Sequence, residues 1–188
     1  EAAPGLGDPG PITGWGLPIS KLAMDVAGAV TVGSLLVAVI TPARKDALGP
    51  AGIRAARTAS IGAWVWVAAA VATLVFTLSD FLGTPVHQTD FQGVLAMFVS
   101  QISQGRALAV VVLLTVVVAA AARSVTTLNG AALVLILAVA AVLPPPLTGH
   151  SASAANHDLA TSGLLVHVTV VTLWVGGLFA LVVFGRRL

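Results

Sequence analysis

The sequence predicts an all-α membrane protein, a polytopic bundle of about five transmembrane helices plus one amphipathic helix at the membrane interface. Of its 188 residues, 57% are hydrophobic and only 9% are charged, whereas a soluble domain carries about 25% charged residues. Several hydrophobic runs are long enough to cross a bilayer as helices. The runs are blocks of Ala, Val and Leu without the alternation that β-barrel strands show, so helices are favoured.

The first element is expected to be an extended segment that precedes the spans. Residues 1–17 are rich in Gly and Pro and are predicted to form an extended segment outside the membrane, with Trp15 near the headgroups. Residues 18–188 form the transmembrane domain, and Pro18 suits the first turn of its first span at about 19–41. Ala29 and Gly33 in that span form a small-xxx-small pair that favours close helix packing.

The remaining spans are predicted at about 58–80, 105–122, 127–143 and 159–185. Ala55, Ala59 and Ala63 give the second span a stripe of small residues. Residues 90–104 differ, because their apolar side chains repeat at helical spacing and leave a polar side. We therefore predict an amphipathic helix at the membrane surface, with Asp90 as its N-cap.

The positions of the charges predict the topology. With the N-terminal segment extracytoplasmic, seven of the nine basic residues fall on one side, which the positive-inside rule makes cytoplasmic together with the C-terminal end. These seven are Arg44, Lys45, Arg54, Arg57, Arg123, Arg186 and Arg187. The outer side then carries six of the seven acidic residues and all four histidines. We expect a multi-pass protein of the cell membrane, and a piece of a longer chain, because the sequence starts at Glu1 and stops directly after a helix.

The composition also argues against several kinds of function. The chain has no cysteine, so disulfides and thiolate metal sites are excluded. No nucleophile–base pair or cofactor fingerprint stands out, so an enzyme is not predicted and no catalytic or cofactor-binding residues are assigned. Nothing in the sequence suggests nucleic-acid binding.

The polar stretch 147–179 holds most of the chemistry in the chain. It contains His150 at the end of the fourth span, His157 just before the fifth, and His167, eight residues or about 12 Å beyond Leu159 in the fifth span. An ionisable residue within a span is expected to be buried and to face the bundle, as a functional group. Imidazole suits copper, zinc, iron or nickel, and a thioether adds preference for Cu(I).

Two carboxylates and a methionine are expected at a similar depth on the first two spans. Asp25 and Asp80 would attract a cation or orient a histidine, and Met24 lies beside Asp25. Simpler interpretations remain open. Asp25 can pair with Lys21 or Arg106, Asp80 can cap a helix turn, and Met24 can be a packing residue. His150 and His157 can be interfacial loop residues without contacts, and His167 can simply bond a neighbouring backbone carbonyl.

Three motifs in order resemble the copper resistance protein D family. They are Thr148-Gly149-His150, then Asn156-His157-Asp158, then His167 followed by Leu173-Trp174-Val175-Gly176-Gly177-Leu178. The resemblance is specific over about 148–185 and looser over the first four spans. It implies copper handling at the cytoplasmic membrane, with His150 and His167 as the best-matched metal ligands and His157, in a loop that varies, as a third. Some members are fused to a domain that resembles a cytochrome c oxidase assembly factor.

The sequence therefore predicts a copper-binding membrane protein for import, or for delivery to a copper enzyme such as cytochrome c oxidase. Its expected partners are the lipid bilayer, cytochrome c oxidase or another respiratory complex, and a copper chaperone. One alternative is a structural or assembly subunit of a respiratory complex without bound metal. Others are a haem-binding electron carrier of the cytochrome b561 kind, which needs two facing histidines, and a proton-coupled transporter using Asp25 and His167.

Overall fold

The computed structural model describes residues 7–148 and 157–185, without the side chains of Arg44 and of residues 157–160. Within these ranges the chain is almost entirely helical, and five helices are long and apolar enough to cross a membrane. The prediction of an all-α polytopic bundle is confirmed. The elements in chain order are α1 (Gly10–Ile40), β1 (Ala43–Arg44), β2 (Ala47–Leu48), α2 (Pro50–Leu82), a 3₁₀ turn (Val86–Gln88), α3 (Phe91–Gln101), α4 (Ser103–Ser124), α5 (Leu128–Val142), α6 (Pro144–Leu147) and α7 (His157–Phe184).

The first helix begins earlier than the sequence indicated. Residues 10–17 are helical rather than extended, so Pro18 lies inside α1 and not in its first turn. The amide of Gly10 donates to the Asp8 carboxylate over 2.8 Å, and a proline follows in the first turn, where its fixed φ is favourable. The buried Thr13 hydroxyl bonds that of Ser79 on α2 over 2.8 Å, which holds this extra length of α1 against its neighbour.

Small residues set the packing of α1, α2 and α4. Three alanines of α2, predicted as a small-residue stripe, are fully buried, namely Ala55, Ala59 and Ala63. Trp66 is also buried and packs on Gly28, where an added Cβ would come within 3.1 Å of the indole ring. The Ser60 hydroxyl crosses from α2 to donate to the Ala119 carbonyl of α4 over 2.7 Å. The core therefore lies among closely spaced helices whose contact faces are built from small side chains.

A small β-hairpin joins α1 to α2 and ties this connection to the one between α4 and α5. Lys45 and Asp46 form its turn with positive φ values of 49° and 68°. The Leu128 amide donates to the Asp46 carbonyl over 2.8 Å, and the Asn129 amide donates to the Asp46 carboxylate over 3.2 Å. The two connections therefore meet at one end of the bundle. The basic residues of the hairpin, of the start of α2 and of the end of α4 lie at this same end, as the charge pattern predicted.

Helix α3 follows α2 at the other end of the bundle and packs against α4. Asp90 is its N-cap, accepting from the Gly93 amide over 3.3 Å as predicted, and the buried Phe98 ring packs against Phe81 with ring centroids 5.7 Å apart. The predicted amphipathic helix is shorter than 90–104, because Ile102 is extended (φ −99°, ψ 124°) and α4 begins at Ser103. This break turns the chain from the surface helix into a spanning helix.

Candidate functional site

A cavity of about 640 Å³ lies among α1, α2, α4, α5, α6 and α7, at the end of the bundle where α1 and α7 begin. Its lining runs from Lys21 to Ala29 on α1 and from His167 to Val175 on α7. Eight helical residues span about 12 Å, so the cavity extends about that far along the bundle. Charged groups line the end near α6, and the opposite end is apolar.

Helix α1 supplies one wall through residues at helical spacing. Lys21, Met24 and Asp25 line the cavity together with Gly28 and Ala29, one and two turns further along the same face. Met24 is buried and 8% exposed, whereas Lys21 and Asp25 are exposed. Neither charged group forms a direct ion pair or a hydrogen bond with a described residue, although Lys21 attracts the Asp25 carboxylate electrostatically. The alternative pairing of Asp25 with Arg106 is absent among the described residues. The Arg106 guanidinium instead donates to the Ser100 carbonyl over 2.9 Å.

Helix α7 supplies the facing wall, and two glycines fix its position. A Cβ added at Gly33 of α1 would overlap the carbonyl of Gly176, and a Cβ added at Gly176 would overlap the carbonyl of Ala29. Only glycines permit this backbone approach, so the predicted small-xxx-small face of α1 meets Gly176 of α7. The crossing places His167, nine residues before Gly176, on the same cavity as Met24 and Asp25.

The family model described as copper resistance protein D-like, N-terminal domain, matches residues 12–159, which include α1 to α6 and the first residues of α7. The chain belongs to this family. Copper resistance protein D-like domains are copper-related membrane proteins, and the resemblance predicted from the sequence is confirmed at that level. The match ends before His167, so it covers the first four spans, where the motif resemblance was looser, and the first two of the three motifs. Searches of curated proteins and of solved structures found no match.

The predicted site residues of this copper resistance protein D-like domain fall into three groups. Met24, Asp25 and His167 line one cavity. His150 lies outside the described residues, and His157 begins α7 but its side chain is not described. Asp80 is exposed in the last turn of α2 and does not line the cavity, so it does not join Asp25 there.

His167 departs from one expectation. The sequence predicted a buried histidine, but the side chain is exposed. The reason lies in the packing of α7, which contacts α1 extensively and α5 and α6 only sparsely, so that the cavity stays open beside His167. Trp174, seven residues after His167 and on the same face of α7, is 66% exposed and does not line the cavity.

The ligand atoms that the described residues bring to the cavity suit copper in type but are few. His167 offers an imidazole nitrogen, which suits copper among other transition metals, Met24 a thioether sulfur, which favours Cu(I), and Asp25 a carboxylate. In the described ranges no three residues of the types His, Cys, Asp and Glu come together as a metal-binding group. The chemistry of the three cavity residues therefore fits a copper cargo, and further histidine ligands would have to come from His150 or His157.

The sequence analysis missed several polar groups of the cavity. Thr73 and Thr77 line it from α2, Thr172 from α7 and Gln104 from α4. Thr73 and Thr77 are four residues apart in an apolar span, a spacing that places both on one helix face and would have revealed them. Trp66, which packs on Gly28, also forms part of the wall.

Proposed function

We propose that this membrane protein carries copper as its cargo and binds the ion at the charged end of the cavity. His167 and Met24 would be ligands, Asp25 would supply negative charge, and His150 and His157 would complete the site from the start of α7 and the segment before it. The observation that carries the proposal is the lining of one cavity by Met24, Asp25 and His167 in a copper resistance protein D-like domain.

The proposed path of the ion follows the polarity of the cavity. An ion arriving at the α6 end meets the carboxylate of Asp25, and neutral imidazole and thioether groups replace its water ligands. Continuing the predicted topology, this end faces the outside of the cell membrane. The cargo would then pass inward or to a copper enzyme under assembly, such as cytochrome c oxidase.

A competition titration tests the ligand assignment. Detergent-purified protein is titrated with Cu(I) in the presence of a coloured Cu(I) chelator, comparing wild type with His167→Ala and Met24→Leu. His87→Ala is the matched control, because His87 is exposed in the 3₁₀ turn outside the cavity. Loss of a ligand should weaken binding at least as much as the roughly 10- to 100-fold seen for groups that only orient ligands. Equal affinities for His167→Ala and His87→Ala would contradict the site.

The methionine provides a second test of the same site. Met24→Leu conserves volume but removes the sulfur, so it should weaken Cu(I) binding and leave Zn(II) binding almost unchanged, because a thioether prefers the softer ion. Equal effects on both ions would show that Met24 acts through packing alone.

A further inference from the structure

The apolar depth of the cavity is not explained by a metal ion. A volume of about 640 Å³ is in the range of small-molecule sites, which span about 300–1,000 Å³ and are mostly apolar with a few polar groups. Beyond Met24 and His167 the walls are formed by side chains such as Trp66, Val111 and Val175. A polar end followed by about 12 Å of hydrocarbon surface is the shape of an amphiphile.

Among the described residues, the cavity is not closed by helix packing on the side from which a lipid would enter. Helix α7 packs along α1 and only sparsely against α5 and α6, so these helices do not seal the cavity between them. Val171 and Val175, which line the cavity from α7, are exposed. Since these helices cross a membrane, an acyl chain of the surrounding bilayer can reach the apolar walls sideways.

The charges at the polar end indicate which headgroup fits. Lys21 and Asp25 lie one turn apart on the same face of α1, a spacing of about 5–6 Å between Cβ atoms. Neither forms a direct ion pair with the other or with another described residue. A purely anionic headgroup would be attracted by Lys21 but repelled by Asp25, whereas a zwitterionic headgroup offers a phosphate to the first and an amine to the second.

A hydroxyl group in the wall of the cavity adds a hydrogen-bond donor for the lipid. Thr77 lines the cavity and is 4% exposed, and its hydroxyl has no hydrogen-bond partner within the described part of the chain. Thr73, one turn away, instead donates to the Ala69 carbonyl over 2.8 Å. A buried hydroxyl without a partner is costly, and an oxygen atom of the lipid headgroup would supply an acceptor.

We propose that the cavity binds one zwitterionic phospholipid of the phosphatidylethanolamine type. Its phosphate pairs with Lys21, its amine with Asp25, and one acyl chain lies along the apolar walls of α4 and α7. This lipid site does not depend on copper binding, although the two would share Asp25 and the mouth of the cavity.

Native mass spectrometry tests the lipid site. The protein is incubated without metal in detergent micelles that contain equal amounts of phosphatidylethanolamine and phosphatidylglycerol with identical acyl chains, and the lipid retained per chain is measured. We expect about tenfold preference for phosphatidylethanolamine, the size expected for a hydrogen bond to a charged group. Equal retention, preference for phosphatidylglycerol, or no retained lipid would overturn the proposal.

Two matched pairs of variants locate the site. Asp25→Asn should abolish the headgroup preference, whereas Asp80→Asn, an exposed carboxylate outside the cavity, should preserve it. Val171→Phe should fill the cavity and reduce retention of both lipids, whereas Val170→Phe should not, because Val170 is 56% exposed and does not line the cavity. Equal behaviour within either pair would contradict the assignment.

Discussion

The crossing of α1 and α7 offers a sharp test, because adjacent glycines in α7 have different surroundings. A Cβ at Gly176 would lie 2.9 Å from the Gly33 amide nitrogen and 3.1 Å from its Cα, and would overlap the Ala29 carbonyl. A Cβ at Gly177 would meet only a methyl group of Leu36, at 3.9 Å, which is ordinary contact. Gly176→Ala must therefore push two helix backbones apart, whereas Gly177→Ala requires no movement.

The expected difference in stability follows from these contacts. Overpacking costs about 1–3 kcal/mol, while alanine is favoured over glycine in a helix by up to about 1 kcal/mol. Gly176→Ala should thus lower the free energy of unfolding by about 1–2 kcal/mol, and Gly177→Ala should raise it slightly. For a chain of this length each kcal/mol corresponds to about 2–4 °C in Tm.

Thermal unfolding in detergent, followed by tryptophan fluorescence, measures this difference. Copper affinity should fall with Gly176→Ala as well, because the crossing positions His167 against Met24 and Asp25. If both alanine variants unfold at the same temperature as wild type, the close approach of α1 and α7 is wrong, and so is the argument that this contact builds the cavity.

Three further outcomes are expected. Ser60→Ala removes the hydrogen bond to the Ala119 carbonyl between α2 and α4 and should cost about 0.6 kcal/mol in the same unfolding assay, a typical value within membranes; no change would show that the bond contributes nothing. Asp46→Ala should lower the free energy of unfolding by about 1–2 kcal/mol, because it removes the acceptor of the Asn129 amide and places alanine at a positive φ. Asp46→Asn keeps an acceptor and tolerates that φ, so it should recover most of this loss. Lys21→Leu should strengthen Cu(I) binding in the chelator titration, because a like charge one helical turn from Asp25 repels the ion, by about 2 kcal/mol for charges about 7 Å apart at an effective dielectric constant of 20. Unchanged or weaker binding would contradict an ion site beside Lys21.

Much of the fold could be predicted from the sequence because lipid imposes simple rules. Uninterrupted apolar length identified the five spans, and the periodicity of residues 90–104 identified the surface helix. The predicted ends of the helices were less accurate where a segment is helical because of its contacts with another helix. Residues 10–17 read as a loop by composition, yet Thr13 binds Ser79 on α2, a contact 66 positions away in the chain that no local pattern contains.

The candidate site could be predicted only in part. Helical spacing placed Lys21 and Asp25 on one face, but whether α7 meets that face depends on the crossing at Gly33 and Gly176, which is a property of the packed bundle. The exposure of His167 has the same origin. A histidine within an apolar span is expected to be enclosed, and the sparse contact of α7 with α5 that leaves it open has no signature in the sequence.

Elemental analysis of the purified protein tests the central claim most directly. Wild type, the His150→Ala/His167→Ala double variant and the His87→Ala control are loaded with copper, washed, and compared for metal content per chain. The copper proposal predicts stoichiometric copper in wild type and in His87→Ala and loss of copper in the double variant, with Tm values showing that all three remain folded. Equal copper in all three proteins, or none in wild type, would contradict it.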